Sequence, residues 1–149
     1  MNLILFRKII IVSSLTETEI MTRLSEIVDL KKSAFGVSNP DPAKQYVGKI
    51  DGRRFKIHRI IKGRNSFIPI IQGNIIDNLS TRSIEVKMRL HFMVILFLLW
   101  VSGVIIYYLI KLNRYTGLIF IGLLLGMTTF FFNQECNKST KDLENAFID

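Results

Sequence analysis

Two long runs without a charged residue, at residues 92–110 and 115–134, constrain the fold of this chain more than any other feature. They contain 19 and 20 residues and are separated by only four residues. A helix rises about 1.5 Å per residue, so each run as a helix matches the ~30 Å hydrocarbon core of a bilayer. The chain has 149 residues, too few to bury two helices that are apolar on every side. We therefore predict a transmembrane hairpin of helices at about 92–110 and 115–133.

The hairpin divides the chain into a domain at residues 1–90, the hairpin itself at 91–133, and a tail at 134–149. The apolar residues of the tail are compatible with a short helix that is docked on the sheet or lies on the membrane. Basic residues favour the cytoplasmic side of a membrane. Five of them lie beside the outer ends of the hairpin and two lie in its turn, while residues 1–90 carry a net charge of +8. We therefore expect both termini on the cytoplasmic side of a plasma membrane.

The first 90 residues have the pattern of an α+β domain. A β-branched run at 7–12 predicts a strand. A helix follows, because Ser14 with Glu17, or Thr16 with Glu19, matches the capping-box signature. The apolar residues that then recur at helical spacing are Ile20, Leu24, Ile27 and Val28.

Four further segments have strand patterns: 46–50, 53–61, 67–77 and 81–90. Asp51 and Gly52 form a signal for a two-residue hairpin turn between the first two. Pro69 has no backbone donor, which argues for an edge or a bulge near the start of the third. We expect one helix on a small, mostly antiparallel sheet of four or five strands, and the last strand runs directly into the first membrane helix.

Four sequence elements follow one another before the hairpin. They are Tyr46-Val47-Gly48-Lys49-Ile50; Phe55-Lys56-Ile57-His58-Arg59; Arg64-Asn65-Ser66-Phe67-Ile68-Pro69 with Gly73; and Lys87-Met88-Arg89-Leu90-His91. In this order the chain resembles a family of small bacterial membrane proteins of uncharacterised function, over most of residues 9–147. The resemblance implies a bacterial inner membrane, and it supplies no catalytic residue, ligand or partner.

Seven basic residues lie within sixteen positions, opposed only by Asp51. Beside a membrane anchor, each Lys or Arg contributes about 1 kcal/mol of attraction to anionic lipid headgroups. Other polyanions and a merely solvated sheet face are the alternatives. No groove-reading motif accompanies the cluster, so we expect no nucleic-acid partner. The candidate lipid or anion contacts are Arg53, Arg54, Lys56, Lys62, Arg59 and Arg64.

Arg59 is unusual because the alternation places it with Phe55 and Ile57 on the expected core face. A guanidinium there needs a carboxylate partner. The candidate partners are Glu85, Asp77 and Asp51. The alternative is a pocket in which Arg59 and Arg64 receive an anionic group.

Three glycines in the second apolar run are candidates for helix packing. Gly122 and Gly126 form a GxxxG element, and Gly117 lies upstream of it. Small residues let two helices approach closely. Packing within the hairpin and packing against a second copy of the chain both remain open.

Catalytic and metal signatures are weak. Only His58 and His91 are possible bases for a nucleophile, and neither has an orienting carboxylate at motif spacing. Two distant histidines and Cys136 do not form a metal-ligand pattern. We therefore predict no catalytic residue, no metal and no cofactor. An enzyme would need one polar pocket that unites at least three of Arg59, Arg64, Asn65, His58 and Glu85.

The leading expectation is a membrane-anchored, non-enzymatic module. Its basic cytoplasmic domain would contact anionic lipid headgroups or a protein partner. The second expectation is an oligomeric membrane effector or pore component, in which the domain senses and the hairpin assembles. An enzyme is the third.

Overall fold

The computed structural model describes residues 5–30, 41, 43–61, 66–77, 82–112 and 117–148. Within them the chain forms six strands and three helices. In chain order these are β1 (Phe6–Ser13), α1 (Glu17–Ile27), β2 (Val28–Asp29), β3 (Tyr46–Asp51), β4 (Arg54–Arg59), β5 (Ile70–Asp77), β6 (Arg82–Arg89), α2 (Phe92–Leu112) and α3 (Gly117–Phe147). The predicted fold class is confirmed: an α+β region is followed by two long apolar helices.

The strands form one sheet in the order β1-β6-β5-β4-β3-β2. Neighbouring strands are antiparallel except β2 and β3, which are parallel. The sheet has one strand more than the largest number we predicted. The additional strand is β2, and its two residues are too short to carry an alternating pattern.

The β3–β4 hairpin turns one residue later than the sequence signal indicates. Asp51 pairs with Arg54, so the two loop residues are Gly52 and Arg53. Gly52 has a φ of +52°, a backbone conformation that glycine adopts without steric cost. The pairing keeps the predicted faces of β4, because Phe55 and Ile57 are buried and the residues between them are exposed.

Pro69 lies immediately before β5, not inside it. β5 is an interior strand that pairs with β4 on one side and β6 on the other. The prediction of a sheet edge or a bulge at Pro69 is therefore wrong. Because the strand begins at Ile70, the missing backbone donor of Pro69 removes no bond from the ladder.

One face of the sheet is covered by helices, and we call it the covered face. α1 packs there through Ile20 and Leu24, which are fully buried. Its start has the predicted capping box, in which Thr16 accepts from the backbone of Glu19 and the Glu19 side chain accepts from the backbone of Thr16. The sheet residues beneath the helices include Ile57, Ile71, Ile84, Val86 and Met88, all buried.

The second element on the covered face is the C-terminal half of α3. The sequence divided this region into a membrane helix ending near 133 and a separate tail. The structure has a single helix through Phe147, in which Cys136, Leu143 and Phe147 are fully buried against the domain. The Ser13 hydroxyl donates to the Phe147 carbonyl at 2.6 Å. No Gly or Pro interrupts residues 134–147, so the helix has no reason to stop at the end of the apolar run.

The contacts of β1 show how the sheet is oriented along α3. Arg7 donates to the Asn137 side chain, and Ser13 at the other end of the strand bonds to Phe147. β1 therefore runs beside α3 in the same direction, and β6 runs the opposite way into α2. The ends of β5 and β6 that carry Ile70 and Arg89 lie toward the helical hairpin. We call this the hairpin end of the sheet.

The helices α2 and α3 contain windows that are long and apolar enough to cross a membrane. The most apolar 18-residue windows have mean hydropathies of 2.5 within Phe92–Lys111 and 1.5 within Gly117–Phe147. Only 6% and 17% of these windows are buried inside the protein. Core helices of soluble proteins hide most of their apolar surface, so this exposure favours membrane association of the two helices.

Candidate anion-binding cleft

The other face of the sheet carries most of its charged side chains, and within the described residues no helix packs over it; we call it the open face. Strand register places alternate residues of five strands there. The polar and charged members are Lys8, Lys49, Asp51, Arg54, Lys56, His58, Gln72, Asn74, Ser83, Glu85, Lys87 and Arg89. On the edge strand β1 the same face also exposes Phe6, Ile10 and Val12. The same strands that build the core thus present hydrogen-bonding groups to solvent.

A cleft of about 1280 Å³ lies on the open face. Its floor comes from β3 to β6, and one wall comes from Ser66 and Ile68 in the β4–β5 connection. A second wall comes from His91, Met93 and Val94 at the start of α2. The cleft therefore opens where the sheet meets the helical hairpin.

The β4–β5 connection is held against the hairpin by an aromatic contact. The rings of Phe67 and Phe131 stack with centroids 5.7 Å apart and planes inclined by 23°. Phe131 belongs to the apolar half of α3. This contact fixes one wall of the cleft beside the hairpin.

His91 forms the junction between β6 and α2. Its Nδ1 accepts a hydrogen bond from the Met93 backbone at 3.2 Å, and its carbonyl accepts from Val94 at 3.0 Å. His91 therefore caps the first turn of α2. Because Nδ1 acts as the acceptor, this contact assigns the proton of the neutral ring to Nε2.

Glu85 balances part of the positive charge in the cleft. It bonds to Lys87 at 2.9 Å and to Lys8 at 3.2 Å. Hydrogen bonds from Lys87 and then Lys8 hold the pKa of Glu85 below its ordinary value. Lys56 and Arg54 lie on β4, which is separated from β6 by β5, and both are exposed.

His58 lies next to the basic groups of the cleft. Partial removal from water is the largest cause that lowers its pKa, and the nearby charges of His91 and Lys56 lower it further. A histidine in this position is mostly neutral at pH 7. A bound anion would act in the opposite direction and favour its protonated form.

The structure divides the predicted basic cluster between the two faces. Arg54 and Lys56 lie on the open face, whereas Arg53 pairs with Glu17 at 2.7 Å and with Asp77 at 3.4 Å. Arg53 is therefore engaged with α1 and β5, away from the cleft. Lys62 and Arg64 lie outside the described residues. Gln72, Lys87 and His91, which sequence analysis did not list as anion contacts, come from other elements of the fold.

Arg59 forms the ion pair that its core-face position predicted, but with an unexpected partner. Its guanidinium lies 3.3 Å from Asp142 of α3. None of the three proposed partners is the observed one: Glu85 lies on the open face and Asp77 pairs with Arg82 at 2.8 Å and with Arg53. Asp51 does not pair with Arg59 because it lies opposite Arg54, at the other end of β4. No local sequence pattern indicated Asp142, because docking of the tail on the sheet was one of two open alternatives and its contacts there could not be predicted.

Asp142 also accepts from the Tyr46 hydroxyl at 3.1 Å. Tyr46 is fully buried, and burial followed by the Asp142 charge raises its pKa above the ordinary value. The Arg59, Tyr46 and Asp142 side chains thus join β4, β3 and α3 on the covered face. This network has a structural role and lies on the opposite side of the sheet from the cleft.

The three candidate packing glycines differ in their surroundings. A Cβ at Gly117 would lie 2.8 Å from Leu109 and 3.0 Å from Ile105, so Gly117 permits close packing of α3 on α2. A Cβ at Gly122 or Gly126 would meet no described atom within 4 Å. Packing within the hairpin therefore accounts for Gly117 alone.

The described residues do not assemble the constellation set out above for an enzyme. His58 and Glu85 share the cleft, but Arg59 lies on the covered face. Arg64 and Asn65 lie outside the described residues. Within the described ranges, no three His, Cys, Asp or Glu side chains come together as metal ligands.

Taken together, these features define a class: an α+β domain with a polar cleft, joined at two points to a hairpin of apolar helices. No known protein family, curated protein or solved structure matches the chain. The resemblance to small bacterial membrane proteins therefore stays a prediction.

Proposed function

We propose that this protein is a membrane-anchored, non-enzymatic module that recognises anionic lipid headgroups with the open face of its sheet. The observation that carries the proposal is the position of the cleft. Its basic floor lies at the point where β6 continues through His91 into the apolar helix α2. In a membrane, the first turn of such a helix lies at the level of the headgroups.

The anchor has two connections to the domain. β6 leads into α2, and α3 returns from the hairpin to pack Leu143 and Phe147 in the core. Two connections restrict rotation of the domain about the hairpin, so the cleft stays beside the membrane surface. We place both termini on the cytoplasmic side of a bacterial inner membrane, because basic residues are concentrated at the outer ends of the hairpin.

The charge of the open face suits an anionic lipid. Lys56 and Arg54 extend from β4 without a carboxylate within ion-pair distance among the described residues. Each basic residue near an anionic membrane surface contributes about 1 kcal/mol, and salt weakens that attraction. Lys87 contributes less, because Glu85 already neutralises it.

The membrane anchor is tested first with Trp100, the single tryptophan of the chain. Trp100 is exposed on α2, eight residues after its first residue. In vesicles whose lipid chains carry bromine, we expect strong quenching of its fluorescence. Fluorescence equal to that in unbrominated vesicles would contradict the anchor.

Headgroup recognition is tested with the full chain, because residues 1–90 alone lack the α3 segment that completes the core. The protein is extracted in mild detergent from vesicles with equal amounts of phosphatidylcholine and phosphatidylglycerol, and the retained lipid is quantified by mass spectrometry. We expect enrichment of phosphatidylglycerol that decreases with salt. Replacing Arg54 and Lys56 together by Gln should abolish the enrichment, whereas the control Lys141→Gln, on an exposed position of α3, should not. Equal retention of the two lipids, or enrichment that ignores salt, would rule out the proposal.

A second function, an oligomeric membrane effector, is favoured by one observation. Gly122 and Gly126 lie on a part of α3 where a Cβ would have open space, so a helix of another copy has room to approach. Overexpression with a membrane-potential dye separates the two functions. Depolarisation that is lost in Gly122→Leu supports the effector, and an unchanged potential supports the anchored module.

A further inference from the structure

We infer that the cleft is a stoichiometric site for one anionic phospholipid, whose phosphate binds Lys56 and His58 while one acyl chain lies on Met93 and Val94, and that His58 takes up a proton when the lipid binds. This inference rests on the proposed function and makes it more specific. Diffuse attraction requires only net charge near a membrane. A site for a single lipid requires polar and apolar groups in a fixed arrangement, and the cleft has that arrangement.

The apolar part of the cleft is continuous with the surface of the hairpin. Met93 and Val94 belong to the first turn of α2 and line the cleft from that side. Met93 is 64% exposed and Phe92 beside it is 67% exposed. Ile68 on the facing wall and Ile70 on the floor extend this apolar surface. An acyl chain can therefore leave the cleft along α2 without crossing a polar barrier.

The polar part lies deeper, on the floor formed by the sheet. It holds Lys56 and His58 on β4 and the Gln72 amide on β5. The assigned Nε2 proton of His91 adds a donor at the wall, because Nδ1 is occupied by the cap of α2. Ammonium, imidazole and amide donors are the groups that bind phosphate oxygens in proteins. A ligand that fits both parts is an amphiphile with an anionic phosphate.

The volume of the cleft also suits an amphiphile. At about 1280 Å³ it exceeds the roughly 300–1,000 Å³ of a typical small-molecule site. A free phosphate ion would leave most of this space to water. A headgroup together with the first part of an acyl chain uses more of it.

Proton uptake follows from the groups around His58. On its own strand the charged neighbours on the same face are Lys56 and Arg54. The adjoining elements contribute Lys49 and Asp51 from β3, Glu85, Lys87 and Arg89 from β6, and His91 at the start of α2. Among these, Glu85 pairs with Lys8 and Lys87, so its charge is already balanced by two ammonium groups. A phosphate placed beside Lys56 supplies the negative charge that stabilises an imidazolium, and binding then draws a proton from solution.

The experiment titrates the full chain in detergent with a soluble short-chain phosphatidylglycerol, whose charge does not change between pH 5.5 and 7.5. Phosphatidylcholine of the same chain length and inorganic phosphate serve as competing probes, and native mass spectrometry counts the bound molecules. We expect one phosphatidylglycerol per chain and an affinity about tenfold higher at pH 5.5 than at pH 7.5, because one linked proton gives up to tenfold per pH unit. Inorganic phosphate should bind more weakly than the lipid, and phosphatidylcholine should not compete.

Four variants separate the parts of the inference. His58→Gln should remove the pH dependence, and Lys56→Gln should weaken binding at both pH values. Met93→Ser should weaken binding of the lipid but leave binding of inorganic phosphate unchanged, which shows that the chain contributes. Lys141→Gln should bind as the parent does.

The outcomes also distinguish this inference from the proposed function. Binding that never saturates, that is equal for both lipids, or whose pH dependence survives His58→Gln would overturn the single-lipid site. If salt-sensitive enrichment of phosphatidylglycerol from vesicles persists in that case, the proposed function stands without a specific site. Loss of both the enrichment and the saturable binding would reject both.

Discussion

The two faces of the sheet use alternate residues of the same strands for opposite purposes. On β4, Phe55 and Ile57 face the helices and are buried, while Lys56 and His58 face the open side. On β6, Val86 and Met88 are buried, while Glu85 and Lys87 line the cleft. A cluster of charges in the sequence is therefore not one surface, because the pleat of a strand separates neighbours that the sequence places together.

The largest difference between the faces should appear in stability. Leu143 of α3 is fully buried on the covered face, and Leu143→Ala should lower the free energy of unfolding by about 2–5 kcal/mol through the cavity it leaves. The measurement is urea unfolding of the full chain in detergent. The matched control is Leu123→Ala on the same helix, where the side chain is exposed and the change should be small. Equal effects at the two positions would show that the end of α3 does not pack on the sheet.

A smaller effect is expected where the covered face is already tightly filled. The Phe55 ring crosses Gly73 so closely that a Cβ there would overlap three ring carbons. Gly73→Ala should therefore destabilise the fold by about 1–3 kcal/mol, the usual range for overpacking. Gly122→Ala is the control, because no described atom lies within 4 Å of its Cβ. Unfolding curves that coincide for the two variants would place Phe55 elsewhere.

The polar network on the covered face should show a graded response. Asp142→Asn removes the ion pair with Arg59 but keeps an oxygen that can accept from Tyr46, so the loss should be at most about 1 kcal/mol. Asp142→Ala also removes the acceptor of a buried hydroxyl, which costs about 1–3 kcal/mol. Arg59→Met should resemble Asp142→Asn and leave binding of phosphatidylglycerol unchanged. A loss of lipid binding in Arg59→Met would show that Arg59 takes part in binding the anion.

Glu85 should give the open face a dependence of stability on pH. Its pKa is lowered in the folded state, so its contribution is fully present above the ordinary carboxyl pKa and is lost as pH falls through the folded value. Because the pairs with Lys87 and Lys8 are exposed, the free energy of unfolding should change only slightly with pH. Glu85→Gln should flatten this part of the pH profile. A profile unchanged by the substitution would mean that the pairs do not persist in solution.

Lys56→Gln should have the smallest effect on stability and one of the largest effects on phosphatidylglycerol binding. Lys56 is exposed on the open face, so Lys56→Gln should change the free energy of unfolding by less than about 0.5 kcal/mol. The same variant should lose much of its phosphatidylglycerol binding. A variant that unfolds more easily and binds normally would reverse the roles assigned to the two faces.

Sequence patterns predicted the strands and their faces because alternation is local. The assignment of Phe55 and Lys56 to opposite faces required only neighbouring residues. The partner of Arg59 lies 83 positions away in Asp142, and no local pattern connects them. The cleft also could not be predicted from the sequence, because its lining comes from four strands, one connection and the start of α2.

The continuity of α3 was not predicted, for a different reason. Residues 134–147 contain charged and amide side chains, so their composition favoured a tail separate from the membrane helix, either docked on the sheet or lying on the membrane. The fully buried apolar residues there are only Cys136, Leu143 and Phe147. They are seven and four positions apart, so they form one narrow apolar stripe that faces the sheet. A stripe this sparse becomes meaningful once the sheet that it covers is known.

Because α3 is one unbroken helix, a tilt of its apolar half also tilts the half that is packed on the sheet. The 31 residues of α3 span about 46 Å, from the turn of the hairpin to the far edge of the core. Apolar helices tilt when the surrounding bilayer becomes thinner or thicker. Because the sheet is fixed to the same helix, such a tilt in the proposed membrane setting would raise or lower the mouth of the cleft relative to the phosphates, and bilayer thickness would then affect entry of the proposed lipid.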